Sequence, residues 1–193
     1  MPNKRQKVLS RGYCGQWTLY SFSVINFACL LNELEQNNNY NIKLIDGALL
    51  QLLYTYKRKE LISHRLAFFP SPYLEAYQNE PEIYEEDEIY ADILAKNIMV
   101  VPIRFDYDPN SFKEIDHPKS HLTLGQFKNC RIPVASPITP SLFIAFILRN
   151  FYNTAFHKFS DELNFQNNLF DQTITNIEKK LLHIAIDYNS KLN

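Results

Sequence analysis

Three arginines, two histidines and one aspartate fall in this 193-residue sequence where extended strands would bring them to a single surface. Along a strand, residues i and i+2 share a face. Over 103–107, Ile103, Phe105 and Tyr107 lie on one side, with Arg104 and Asp106 on the other. Over 121–124, Leu122 and Leu124 oppose His121 and Thr123, and over 131–134, Ile132 and Val134 oppose Arg131. Over 61–69, Ile62, Leu66 and Phe68 oppose Arg65. If every apolar set turns toward one core, Arg65, Arg104, Asp106, His121, Thr123 and Arg131 converge on the far face. Asp108, His117, Lys119 and Asn129 then stand in loops at its margin.

Such a set suits phosphodiester chemistry that needs no metal. The planar fork of arginine clamps phosphate oxygens and stabilises charge developing on them. Histidine titrates near neutrality and can give or take a proton. RNA carries its own nucleophile in the 2′-hydroxyl. The sequence reading therefore assigns Arg104 and Arg131 as phosphate clamps, His121 as acid, and Asp106 or His117 as base, with no cofactor. The same residues support a plainer reading, since Arg and Asp on an open sheet face form cross-strand ion pairs worth a few tenths of a kcal/mol. Two functions follow: an RNA-cleaving or RNA-binding protein acting through this cluster, or a non-catalytic interaction subunit.

Other constellations are absent or weak. The 4 glycines (Gly12, Gly15, Gly47, Gly125) form no phosphate loop or dinucleotide fingerprint, and neither CxxC nor HExxH occurs. His117, His121 and Cys130 have a loosely zinc-like look, but Pro118 and the strand behind it argue against a shared helix face. The acids between Glu80 and Asp92 suit the first turns of a helix, where the macrodipole favours negative charge, without any metal. His64 falls on the apolar side of its strand and reads as a hydrogen-bonded core residue. Cys14, Cys29 and Cys130 have no histidine nearby in sequence and read as small buried hydrophobes.

The elements that must position this cluster can be read in order. Residues 24–35 carry apolar side chains at helical spacing, while 17–22 could be strand or helix. A meander follows: 40–45 alternates, Asp46-Gly47 is a turn pair, 48–56 is extended, 57–60 is a charged turn, and 61–69 is a third strand stopped by Pro70-Ser71-Pro72. A helix is expected from 83 or 84 to about 97, then a strand over 98–107 and a hairpin from 121–125 and 130–134. Thr139 and Pro140 read as N-cap and first helical residue of a buried helix over 141–153. Beyond Ser160, Leu163, Phe170, Ile174, Ile177, Leu181, Ile184 and Tyr188 follow a heptad-like seam, which predicts a long docked C-terminal helix or a self-pairing dimer helix. The fold class is α+β: a largely antiparallel sheet of about six strands with helices packed on one face and a long C-terminal helix. Residues 1–155 form the domain, and 156–193 form a helical appendage docked on it.

Composition agrees with a folded domain. Hydrophobic residues are 46% and aromatics 14%, too many for a disordered chain. The formal charge of −1 excludes a strongly basic nucleic-acid coat while leaving room for a local basic face. The longest apolar run, 142–148, is far short of the roughly 18–20 residues that span a bilayer, and the odd cysteine count argues for a reducing compartment. A soluble cytoplasmic protein with no membrane partner is expected.

Several stretches resemble a known family. Leu44-Ile-Asp-Gly-Ala-Leu-Leu-Gln, His64-Arg-Leu-Ala-Phe-Phe-Pro-Ser-Pro, Asp87-Glu-Ile-Tyr-Ala-Asp, Ile103-Arg-Phe-Asp-Tyr-Asp, and His117-Pro-Lys-Ser-His-Leu-Thr-Leu-Gly-Gln through Asn129-Cys-Arg-Ile-Pro-Val are similar to the uncharacterised bacterial family named domain of unknown function 2290. The resemblance runs over about 39–155, leaving the first 38 residues and the C-terminal segment outside it. It implies an association with bacterial mobile and antiphage defence loci, and with it either a small effector acting on nucleic acid or an accessory subunit. It carries no catalytic residues with it.

Overall fold

A turn that only a glycine-like backbone can make sets the first hairpin of the sheet. Gly47 has φ 84°, and the Asp46 carboxylate accepts from the Ala48 amide at 3.0 Å, closing the link between β1 (Ile42–Lys43) and β2 (Leu49–Lys57). The computed structural model describes residues 24–71, 101–125, 127, 129–163, 165 and 168–186. Within them, β3 (Glu60–Phe69), β4 (Ile103–Tyr107), β5 (Ser120–Leu124) and β6 (Ile132–Pro133) complete a six-stranded antiparallel sheet in the order β1-β2-β3-β4-β5-β6. The expected elements at 17–22 and from 83 to 97 lie outside the described residues.

Among the described residues three helices accompany the sheet: α1 (Val24–Gln36), α2 (Pro140–Phe151) and α3 (Asn153–Phe159). α2 starts as its sequence predicts, with the Thr139 hydroxyl accepting from the Leu142 amide at 3.4 Å and Pro140 in the first turn. It covers the apolar face of the sheet. Phe105 meets Phe143 and Phe146 edge-to-face at 6.1 and 5.5 Å between ring centroids, and Phe68 meets Phe151 at 4.9 Å. Phe68, Phe143, Leu50, Leu66 and Ile147 are fully buried here, each contributing about 1.5–3 kcal/mol over an exposed position. The Tyr152 hydroxyl donates to Asp46 at 2.7 Å, tying the end of α2 to the first hairpin.

α1 departs from the expected one-sided arrangement. Its Leu31 and Leu34 pack on Leu49, with Phe69 and Tyr40 beside them. Leu49 pairs with Phe69, while Leu50 pairs with Phe68 on the core side. Leu49 and Phe69 therefore belong to the opposite face, the one that carries Arg65, and α1 closes one end of it.

Among the described residues the predicted long C-terminal helix is not there. α3 ends at Phe159, and over the described part of 163–186 the chain is irregular except for a 3-10 turn at Glu178–Lys180. The Thr173 and Ile174 amides donate to the Ala135 carbonyl at 2.9 and 3.3 Å. The Ile184 amide donates to Pro133 at 2.8 Å, and Ala135 donates back to Ile184 at 2.9 Å. This strap forms a parallel bridge from Ile184 to Val134, beside the edge strand β6. Thr173, Ile174 and Thr175 are β-branched and disfavoured in a helix, whereas Ala135, just past the edge strand, offers the Thr173 and Ile174 amides a partner that a free strand would lack. Thr175 and Glu178 then cap one turn reciprocally, with Thr175 N–H to the Glu178 carboxylate at 2.9 Å and Glu178 N–H to the Thr175 hydroxyl at 3.2 Å. The apolar spacing tacks an extended segment down at intervals, so a dimer helix has no continuous seam to use.

His64 is the core histidine that its strand parity predicts. Its Nε2 accepts from the Ile138 amide at 3.0 Å, and the neighbouring Tyr54 hydroxyl donates to the Ile138 carbonyl at 2.7 Å. Burial pushes its pKa down to about 4 from 6.5, against a smaller opposing pull from Asp106. The folded state thus disfavours the proton that the unfolded chain takes up below 6.5, so this stability is complete above that pH and is lost as pH falls toward 4. The shift corresponds to about 3 kcal/mol. Urea midpoints at pH 7, 5.5 and 4.5 should fall steeply for the wild type. His64→Phe should be weaker at pH 7, because the Ile138 amide loses its acceptor, but much flatter with pH. Parallel losses in both proteins would contradict this role.

Candidate functional site

Cross-strand register decides which polar side chains meet. Arg65 of β3 pairs with Asp106 of β4, and Asp106 pairs with His121 of β5, so the three stand in one row. In the adjoining row, Ala67 pairs with Arg104 and Arg104 with Thr123. The hairpin of β5 and β6 sets Leu122 against Ile132, which leaves Arg131 just before β6 at the same edge. The alternation of three strands, β3, β4 and β5, thus gathers Arg65, Arg104, Asp106, His121 and Thr123 on one face, with Arg131 at its edge.

Asp106 is the hub of that face. Its carboxylate is 8% exposed and is gripped from both sides, by Arg65 Nε on Oδ1 at 2.8 Å and by Arg104 Nε on Oδ2 at 2.5 Å. The two guanidinium side chains remain 55% and 40% exposed. Burial alone would raise the carboxyl pKa, but Arg104 and Arg65 hold it below the usual carboxylate range. Asp106 is therefore a firmly ionised anchor, a weak proton acceptor that spends its charge on orienting two cations.

The two histidines have fixed tautomers. His121 is 3% exposed, and its Nδ1 lies 2.9 Å from the Pro118 carbonyl. His117 Nδ1 lies 2.7 Å from the Ser111 carbonyl. A carbonyl only accepts, so each Nδ1 carries a proton and each Nε2 carries the lone pair in the neutral ring. The rings stand 4.8 Å apart between centroids, and His121 Nε2 is 3.8 Å from Asp106 Oδ2. Burial lowers the pKa of His121, and the Pro118 carbonyl and Asp106 oppose this only in part, with His117 and Arg131 adding to the lowering. His121 is thus an enclosed imidazole whose burial disfavours the protonated form.

Beside this buried layer lies an open hollow of about 780 Å³, lined by Ser111, Lys113, Ile115, Asp116, His117, Asn129 and Arg131. Of the five residues assigned chemical roles, His117 and Arg131 reach it, while Arg104, Asp106 and His121 form the layer next to it. Arg131 makes no salt bridge among the described residues. The rim is built by a small excursion in which Lys113 and His117 bridge as an antiparallel pair. The Asp116 amide donates to the Glu114 carbonyl at 2.9 Å across Ile115, whose φ is 71°. A γ-turn with positive φ at a β-branched residue is strained, and outliers of this kind cluster at ligand sites. Ser111 and Lys113 escaped the sequence reading because they lie in an irregular loop without strand parity. The Asp108-Pro109 pair was a legible signal, since Asp108 accepts from the Asn110 amide and starts the 3-10 turn Pro109–Ser111. Among the described residues no group of three or more His, Cys, Asp or Glu could hold a metal ion.

The hub makes unequal demands on its members. Asp106→Ala leaves two guanidiniums without their shared anion, and because both keep contact with water the loss should be about 2–3 kcal/mol, below the fully buried case. Arg65→Ala should cost about 1 kcal/mol, because Arg104 still neutralises the carboxylate. Urea denaturation of both variants checks the order, and equal losses would show that Asp106 is not the shared anchor.

No curated protein and no solved structure matches the chain. A family model described as "Uncharacterized conserved protein (DUF2290)" matches residues 3–186. That match extends the resemblance seen over 39–155 into both terminal segments, including the strap along β6. The site residues and the elements that carry them all lie inside the matched span, and the chain belongs to the DUF2290 family.

Proposed function

We propose that this face binds the phosphodiester backbone of RNA, with Arg131, Lys113 and His117 as the contacts in the hollow, and that the protein acts as a binding subunit rather than a cleaving one. The observation that carries this is Arg131: a guanidinium with no salt bridge among the described residues, facing an open hollow beside a second cation and an imidazole. Arginine forks and lysine point charges are the groups that hold phosphate oxygens. Arg65 and Arg104 extend the positive surface, each tied to Asp106 through Nε, which leaves the outer guanidinium nitrogens for a second phosphate. Asn129 in the same hollow carries both a donor and an acceptor of the kind a 2′-hydroxyl pairs with.

Cleavage of RNA needs two proton-transfer groups on opposite sides of one phosphate. Here a single imidazole reaches the hollow. His121 is enclosed, with burial disfavouring its protonated form, and Asp106 is held as an anion by two arginines. This arrangement favours binding without turnover.

Fluorescence anisotropy with a short oligoribonucleotide over a salt series tests the reading. Arg131→Ala should weaken binding by about 10-fold, the loss of a charge-assisted contact, and should lower the slope of log affinity against log salt by about 0.7. The labelled RNA should stay full length on a gel. Unchanged affinity and slope in the variant would remove the proposal, and cleavage lost in His117→Ala would replace binding by catalysis.

A further inference from the structure

The tip of the β5–β6 hairpin carries a side chain that the core does not explain. Phe127 is 74% exposed, more than any other phenylalanine among the described residues. Its backbone is nevertheless held. Gly125 has φ 58°, and a methyl group placed on its Cα would stand 3.8 and 3.9 Å from one edge of the ring. That edge therefore lies over the side-chain-free Gly125, and most of the ring surface meets solvent. The turn beneath is pinned twice: the Cys130 amide donates to the Phe127 carbonyl at 3.1 Å, and the Leu124 amide points to Cys130 Sγ at 3.5 Å. Two and four residues further on, Asn129 and Arg131 line the hollow. Four residues span at most about 14 Å, so the ring and Arg131 lie within reach of one short stretch of polynucleotide.

An exposed aromatic ring on a hydrogen-bonded turn, close to phosphate-holding cations, is a way for proteins to grip unpaired strands, since every base has a face to stack and a duplex hides those faces. We infer that the ligand of this site is single-stranded RNA, with a base stacked on Phe127 while its neighbouring phosphate sits at Arg131 and Lys113. The inference rests on the phosphate-binding reading above and adds to it the state of the strand and the residue that senses it.

Three ligands of equal phosphate count separate the two claims: an oligouridylate, an abasic strand and an RNA duplex. In anisotropy titrations the wild type should bind the oligouridylate about 5- to 100-fold more tightly than the abasic strand, the range that one stacked base supplies, and should bind the duplex no better than the abasic strand. Phe127→Ala should bind all three at the abasic level. Phe127→Leu keeps the bulk without the aromatic face and should do the same, while Phe127→Trp should keep the preference. A base preference that survives in Phe127→Ala, or no preference in the wild type, overturns the stacking role. Phosphate binding stands in that case if the abasic strand still binds in an Arg131-dependent way. Failure of all three ligands to bind overturns both.

Discussion

A carboxylate almost sealed in the middle of a sheet must find positive charge or shed its own, because the desolvation of an isolated anion far exceeds what packing returns. Asp106 meets that demand with two arginines from two strands. Arg65 arrives across the β3–β4 pairing and Arg104 from two residues earlier on β4 itself. The hub fixes more than charge. It orients the guanidiniums outward, stands 3.8 Å from His121, and so backs the imidazole whose ring meets His117 at the rim of the hollow. The polar face is therefore built inside out, with an anion below, cations above it, and an open cationic margin at Arg131 and Lys113.

The apolar face follows the opposite logic. Aromatic rings from β3 and β4 interlock with those of α2, and polar groups in this layer reach the backbone of Ile138, His64 through Nε2 and Tyr54 through its hydroxyl, while the buried His64 Nδ1 has no hydrogen-bond partner among the described residues. One sheet thus separates a dry side from a charged side through the period-two geometry of its strands. No helix among the described residues is long and apolar enough to cross a membrane.

Much of this could be read in the residues themselves. Parity placed Arg65, Arg104, Asp106, His121 and Thr123 together because side chains alternate along each strand, although β3 pairs with β4 across residues 70–102 and β4 with β5 across 108–119 rather than through short turns. Asp46-Gly47 and Thr139-Pro140 marked element boundaries through backbone chemistry that few other pairs satisfy. The strap at 163–186 misled because regular apolar spacing reports burial at intervals, and an extended segment laid along β6 meets the same requirement as a helix. The position of α1 was hidden by a weaker signal: Leu49 and Phe69 are apolar yet share the parity of Arg65, which marks a covered patch at one end of the polar face. The hollow lay beyond reach because Ser111, Lys113 and Ile115 belong to a loop whose shape depends on one strained turn.

Side-chain NMR of the arginines during titration with a short oligoribonucleotide addresses the account most directly, because each guanidinium reports its own surroundings. The Nε–H signal of Arg131 and the ring signals of His117 should move together in one saturable step. The Nε–H signals of Arg65 and Arg104, committed to Asp106, should hold their positions. Saturable binding that leaves Arg131 and His117 unmoved, or that displaces Arg65 and Arg104 from their carboxylate, would contradict the arrangement of anchor and open margin on which the account stands.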